Sequence, residues 1–268
     1  MIKVSLNGND YRVDSHLTIG RFLSEYYPDF DLVIVNTVLN PDLNYELKNG
    51  DRVVAFKKGS IPDGVSLKDL MFARQPEDFT DKLQGSTVGI AGLGGLGSVV
   101  GENLVRAGVG RLVVVDFDIV EPSNINRQRY FINQIGRYKV NAFKENMKKI
   151  SPFTEIEGYI IKVSRNNVDI FEECQIIAEC FDDPSSKAEL VSAIRDRLPD
   201  KIVVASSGIA GFGSEKSVVV RRISDKIYVV GDGESEVKDR IGLVATRVGI
   251  AASIQSHLIV RLILGLEK

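Results

Sequence analysis

Ile2, Val4 and Leu6 alternate with polar residues, the pattern of a strand with one buried face. Asn7-Gly8-Asn9 follows as a hairpin turn, and Tyr11 and Val13 begin the return strand. Ile19, Phe22 and Leu23 then recur at helical spacing, with Ser15 or Thr18 placed to cap the helix. Leu32 to Val35 is a short apolar run, Asn49-Gly50-Asp51 a turn, and Val53 to Phe56 a final strand. Residues 1–58 therefore give the order β-β-α-β-β. Residues 59–86 are expected to be a linker and helix. Ser60, Pro62, Asp63 and Gly64 break the pattern, and Ser66 to Arg74 is helical, with Leu67, Leu70 and Met71 on one face, before Pro76 stops it.

The pattern changes character at Thr87. Val88, Ile90 and Ala91 form an uninterrupted apolar run, as does Leu112 to Val115, and runs of that kind belong to parallel strands buried on both faces. Between them, Val100, Leu104 and Ala107 mark a helix that Gly108 and Gly110 close. Further on, Ile135 to Ile150 predicts a helix, Glu155 to Val163 a strand and Cys174 to Cys180 a second strand. Asp182 to Leu198 predicts a loop and helix, and Ile202 to Ser207 a buried strand. Ser217 to Ile223 with Lys226 to Val230 reads as an antiparallel hairpin, and Gly242 to Leu264 as a long apolar helix. Gly231 to Arg240 is expected to be the most mobile loop. The predicted fold is a Rossmann-like α/β domain with a mostly parallel sheet over residues 87–268, preceded by a small α+β domain.

The first βαβ unit carries the clearest chemistry. Gly92, Gly94 and Gly97 sit between strand and helix at G-x-G-x-x-G spacing, where backbone amides and a helix start can hold a polyphosphate. Asp116 ends the second strand about 20 residues on, where a ribose hydroxyl would sit. The following loop adds Asn124, which can donate to a phosphate or ribose oxygen, and Arg127, which can fork onto a phosphate. Lys139 can reach a β- or γ-phosphate as a point charge. That cluster suits a triphosphate better than a dinucleotide.

Composition narrows the partners. The chain has 268 residues and a formal net charge of −2, which gives no electrostatic case for nucleic acid or an anionic membrane. No apolar run approaches the length of a membrane span and the N-terminus has no signal-peptide core, so a cytoplasmic location is expected. Cys174 and Cys180 are the two cysteines, too few for a four-cysteine zinc site.

These motifs closely resemble those of the enzymes that adenylate ubiquitin-like proteins, the ThiF/MoeB group and the ubiquitin-activating enzymes. The resemblance runs from about Arg74 to the C-terminus. It rests on Gly92-Leu93-Gly94-Gly95-Leu96-Gly97, Asp116-Phe117-Asp118, Ser123-Asn124-Ile125-Asn126-Arg127-Gln128, Gly136-Arg137-Tyr138-Lys139 and Glu179-Cys180-Phe181-Asp182-Asp183. It implies ATP and Mg²⁺ as cofactors, with Gly92, Gly94, Gly95, Gly97, Asp116, Asp118, Asn124, Arg127 and Lys139 around the nucleotide. Asp182 matches the metal carboxylate. Arg74 resembles an arginine that in this family reaches into the partner subunit's site, which implies a homodimer. The loop cysteine that larger members use for thioester transfer has no counterpart between Ala205 and Lys238, and the structural zinc cysteines of many relatives are absent.

Residues 1–58 are similar to the β-grasp, ubiquitin-like ThiS sulfur carriers. Those carriers end in a free Gly-Gly carboxylate, whereas here Lys57-Lys58-Gly59-Ser60 runs on into the chain. The implied reaction is therefore adenylation of a separate ThiS-like carrier with a C-terminal Gly-Gly, in thiamine thiazole synthesis. Adenylation of a molybdopterin-type carrier or another acceptor such as a modified tRNA base stands beside it, as does a non-catalytic nucleotide-binding scaffold.

Overall fold

The computed structural model describes residues 1–61 and 66–267, so the break expected at Pro62, Asp63 and Gly64 lies outside the described residues. The chain divides into two compact units, Met1–Asp81 and Lys82–Lys268.

The first unit is a five-stranded sheet with one helix on its inner face. Its strands are β1 (Ile2–Leu6), β2 (Asn9–Val13), β3 (Leu32–Val35), β4 (Val38–Leu39) and β5 (Arg52–Phe56), in the order β2-β1-β5-β3-β4, and α1 spans Ile19–Tyr26. β1 and β5 pair in parallel at the centre, and the other pairs are antiparallel. Asn7 and Gly8 both take positive φ, 51° and 83°, as a two-residue hairpin turn of matching twist requires. Thr18, the second of the two candidate caps, accepts the Arg21 backbone N–H. Ile19, Phe22 and Leu23 bury against Val4, Leu6, Val33, Val53 and Ala55.

The outer face of this sheet is also covered. Ile34 and Val54 point away from α1, yet are only 4% and 1% exposed, because they pack with Ala73, Leu70 and Phe56. Leu70 belongs to α2 (Leu67–Met71), and Arg52 reaches the Asp69 carbonyl at 3.3 Å. The expected face of Leu67, Leu70 and Met71 is thus used only in part. Leu67 and Met71 stay more than a third exposed, while Phe72 and Ala73, just past the helix, are buried. The unit division falls within α3 (Glu77–Gln84).

The second unit contains a seven-stranded sheet of β6 (Thr87–Ala91), β7 (Arg111–Val115), β8 (Glu155–Tyr159), β9 (Ile176–Glu179), β10 (Ile202–Ser206), β11 (Val219–Ser224) and β12 (Ile227–Gly231). Their order is β11-β12-β10-β9-β6-β7-β8, all parallel except β11. The helices are α4 (Gly95–Ala107), α5 (Lys139–Ile150), α6 (Pro184–Arg197) and α7 (Ala245–Leu264). From β6 the chain first builds outward through β7 and β8, then returns to lay β9 on the other side of β6. The order therefore reverses between β6 and β9. Crevices at the carboxyl ends of strands beside such a reversal are where open α/β sheets bind ligands.

Three predicted elements are shorter than expected. The helix after the Asn-rich loop starts at Lys139, not Ile135, because Gly136 takes a left-handed φ of 86° and residues 118–120 bond across to 136–139. The strand from Glu155 stops at Tyr159, and the strand expected over Cys174 to Cys180 covers Ile176–Glu179. α7 is long and apolar enough to cross a membrane, with a mean hydropathy of 1.3, although polar residues interrupt its apolar run. Half of that window is buried inside the protein, with Arg247, Gln255 and Ser256 among its buried residues.

Candidate functional site

A cavity of about 950 Å³ opens at the carboxyl ends of β6, β7, β9 and β10, at the reversal point. Gly92, Gly94, Gly95, Asp116, Asp118, Asp182 and Lys187 are among the residues that line it.

The glycine turn is held from several sides. Gly92 has φ of 93°, and its N–H bonds the Val115 carbonyl at 2.8 Å. Gly97 lets α4 lie directly on that turn, since a Cβ there would stand 1.8 Å from the Gly92 carbonyl oxygen. Gly94 is the N-cap of α4 and supplies no side-chain cap, so the first amides of a 13-residue helix remain free to bind an anion. Tyr130, buried, donates its hydroxyl to the Leu93 carbonyl at 2.8 Å.

Asp116 is 8% exposed. Its Oδ2 accepts the Leu93 N–H at 2.7 Å and its Oδ1 the Asp118 N–H at 2.8 Å, so it ties strand β7 to the glycine turn. Burial raises its pKa, against the pull of Lys139 and the two amides. The Lys139 ammonium is itself buried and donates to Asp118 Oδ2 at 2.7 Å, with Asp116 Oδ2 at 3.9 Å. It is the first residue of α5, placed there by the Gly136 turn.

Arg127 lines the cavity and donates to the Ser123 carbonyl at 2.7 Å, and its buried Nε has no partner. Gln128, also on the wall and buried, has an unpartnered Oε1. Two orphaned polar atoms at the edge of a glycine-rich cavity suit a polar ligand. Asn124 does not line the cavity. Its Oδ1 accepts the Glu121 N–H and caps a short 3₁₀ turn. Arg74 lies exposed in the first unit, outside the unit that holds the cavity.

The two acids after β9 have different surroundings. Asp183 is the N-cap of α6, accepting the Ser186 N–H at 2.7 Å. Asp182 lines the cavity and makes no hydrogen bond or ion pair among the described residues. No group of three metal-binding side chains occurs among the described residues. A free carboxylate lining a cavity of nucleotide size nevertheless fits Mg²⁺, which is commonly held by one or two carboxylates together with substrate phosphates.

Several wall residues escaped the sequence reading: Gln128, Lys187, Ser206 and the loops 207–210 and 233–237. Cys180 also lines the cavity, but it is 6% exposed, and burial pushes its thiol pKa up, away from the thiolate form. The segment expected to be the most mobile is anchored at its start. Asp232 accepts the N–H groups of Glu234 and Ser235, both at 2.8 Å, and receives the buried Arg247 guanidinium at 2.5 Å. Burial pushes the Asp232 carboxyl up, but these donors outweigh it and hold the pKa at about 2. A depressed carboxyl stabilises its anchor above its unfolded pKa and loses it as pH falls toward the folded value. Hydrogen exchange of residues 233–241 should therefore show constant protection from pH 7 to about 5 and a loss of protection below about 4. Asp232→Asn should abolish that acid response.

Residues 67–268 match the model of the ThiF family, and residues 2–59 that of the ThiS-like ubiquitin family. The chain is similar to the adenylyltransferase and sulfurtransferase UBA4 of Eremothecium gossypii, with 34% identity over 147 residues, 54% of this chain and 32% of that protein. It is also similar to ubiquitin-like modifier-activating enzyme 5 of Caenorhabditis briggsae, with 37% identity over 108 residues, 40% of this chain and 24% of that protein. The chain thus spans about a third or less of the length of these two relatives. Among solved structures, the tRNA N6-threonylcarbamoyladenosine dehydratase TcdA of E. coli in complex with ATP aligns with a TM-score of 0.67 at 18% identity. That alignment covers 77% of this chain and 97% of TcdA. PaaA aligns with a TM-score of 0.58 at 22% identity, covering 79% of this chain and 70% of PaaA. At these identities the structural likeness speaks for the fold.

Proposed function

The chain belongs to the ThiF family, and on that premise we propose that it is an ATP-dependent adenylyltransferase acting on the C-terminal Gly-Gly carboxylate of a separate ThiS-like sulfur carrier, in thiamine thiazole synthesis in the cytoplasm. The observation that carries this reading is the cavity itself, lined by an uncapped helix start, by the basic side chains of Arg127 and Lys139 and by the free Asp182 carboxylate.

A carrier carboxylate oxygen attacks the α-phosphorus of ATP, a P–O bond forms, and the bond to the β-phosphate oxygen breaks. The products are an acyl-adenylate and pyrophosphate. The nucleophile arrives ionised, so the protein's task is to position the groups and neutralise charge. The glycine-turn amides and Arg127 hold phosphate oxygens, and Asp116 accepts from a ribose hydroxyl. Lys139 is shared between Asp118 and the β- or γ-phosphate, because Asp118 is half exposed and can release it. Asn124 serves indirectly, by shaping the turn that presents Arg127. Asp182 would hold Mg²⁺, which supplies charge neutralisation on the phosphates when bound.

Glu234 and Glu236, which also line the cavity, favour a protein acceptor over an RNA phosphate backbone. ATP–pyrophosphate exchange assayed with a Gly-Gly carrier, a molybdopterin-type carrier, tRNA and no acceptor tests the reading. Exchange only with the ThiS-like carrier is the expected result, and exchange with tRNA instead, or none with any acceptor, overturns it. The full chain without a carrier should give none, because its own β-grasp unit leaves β5 through a turn, with Ser60 N–H on the Lys57 carbonyl, and offers no terminal carboxylate.

We also propose a homodimer. Phe117, Ile119, Phe131, Ile132, Ile135 and Tyr138 are each 41–76% exposed within one stretch of 22 residues, more apolar surface than one loop commonly leaves in water. Covering by a second copy would also bring a second Arg74 into the assembly. Light scattering at micromolar concentration should give twice the chain mass of 29.5 kDa, and a single species at 29.5 kDa would exclude the dimer.

A further inference from the structure

Beside Asp182 lies an ion pair with a buried carboxylate that the chemistry above does not use. Glu179, the last residue of β9, is 0% exposed. Lys187, in the second turn of α6, donates to both of its oxygens, at 3.0 and 2.9 Å, and to Ser206 Oγ at the end of β10, at 3.1 Å. Glu179 Oε1 also accepts the backbone N–H of Phe181 at 2.7 Å. The Glu179 carbonyl is fixed in turn by buried Gln255 of α7, at 3.2 Å.

A pair with one fully buried partner adds little to stability, since the cost of desolvating the charges offsets most of their attraction. Its geometry is more informative. The pair ties β9, α6 and β10 together, and its one backbone contact within the 180–183 turn is the residue immediately before Asp182. On the other side of Asp182, Asp183 is fixed as the cap of α6 by the Ser186 N–H. Asp182 is thus a free carboxylate strung between two pinned neighbours.

We infer that Glu179 and Lys187 are positioning residues, which hold the Phe181 N–H so that the Asp182 carboxylate stands ready for the Mg²⁺ of the bound nucleotide. This rests on the adenylyltransferase reading and adds to it two residues that act on the metal through the turn that carries Asp182. Lys187 has its donors committed to Glu179 and Ser206, so its effect on the reaction passes through the turn.

The test measures binding as well as rate. An ATP analogue not cleavable between the α- and β-phosphates is titrated calorimetrically into the full chain, once with Mg²⁺ and once with EDTA. Wild type should bind at least about 10-fold tighter with Mg²⁺, a difference of about 1.4 kcal/mol. Removing only Lys187 would leave a buried unpaired charge and threaten folding, so paired changes are used. Glu179→Leu with Lys187→Met removes both charges and the acceptor for the Phe181 N–H. It should keep the affinity measured in EDTA and lose the Mg²⁺ increment to within about twofold. Glu179→Gln with Lys187→Met keeps an acceptor and should retain most of the increment, with exchange activity following the same order.

A full increment in the Leu/Met variant overturns the assignment. Equal loss in both variants overturns it too, because the pair would then act through its charge. If wild type binds the analogue in EDTA but gains nothing from Mg²⁺, the metal role of Asp182 falls and the inference with it. If wild type does not bind the analogue at all, the adenylyltransferase reading itself has failed, a result distinct from the others.

Discussion

Asp182→Ala is expected to lower carrier-dependent pyrophosphate exchange by about 10³-fold, the scale of losing a group that neutralises transition-state charge. Binding of ATP in EDTA should change little. Asp182 makes no hydrogen bond or ion pair among the described residues, so its removal leaves no buried group unpaired. The fold should tolerate the change, because the α6 cap is the neighbouring Asp183. Asp183→Ala makes a comparison: it removes the cap, costs about 1 kcal/mol of stability and keeps the Asp182 carboxylate, so its loss of exchange should be well short of 10³-fold. Rates near wild type for Asp182→Ala at saturating Mg²⁺ would remove Asp182 from the chemistry.

Gly97→Ala should act in the opposite way, through structure. Its Cβ would meet the Gly92 carbonyl oxygen at 1.8 Å and the Gly92 carbonyl carbon at 2.9 Å, and backbone atoms cannot swing aside. Either α4 lifts off the turn or the turn opens and breaks the Gly92–Val115 bond. The expected outcome is a loss of nucleotide affinity of about 100-fold or more, with a destabilisation of about 1–3 kcal/mol that lowers the melting temperature by several degrees. Gly249→Ala in α7 meets nothing within 4 Å. It should be neutral or stabilising by up to about 1 kcal/mol. Equal behaviour of the two variants in calorimetry and nucleotide titration would show that the close approach does not constrain the site.

The glycine turn between β6 and α4 was legible in the sequence because its determinants are local. Glycines, a following helix pattern and an acid at the next strand's end all fall within about 25 residues. Elements that depend on distant partners were not legible. Glu179, Lys187, Ser206 and Gln255 meet because β9, β10, α6 and α7 are brought together by the strand order, which no local pattern encodes. Asn124 invited a phosphate role because of its position, but a short polar side chain beside a turn is often taken by backbone groups first, here the Glu121 N–H. The apolar Ile135 extended the helix pattern backwards past Gly136, whose left-handed backbone ends it. The charged tract after Gly231 looked mobile by composition. Its anchor, Arg247, comes from a helix 15 residues further on, and Arg247 is 4% exposed despite its charge.

The cover that α2 lays over the outer face of the first sheet has a consequence for how the chain is made. The last strand of that sheet ends at Phe56, but Ile34 and Val54 gain their cover only with Leu70 and Ala73. At about 5–20 residues per second of synthesis, residues 57–73 take on the order of one to a few seconds to appear. During that interval a nearly complete ubiquitin-like sheet presents an apolar strip to its surroundings. A fragment cut at residue 58 would keep that strip exposed permanently and should self-associate, whereas one ending at Asp81 carries its own cover.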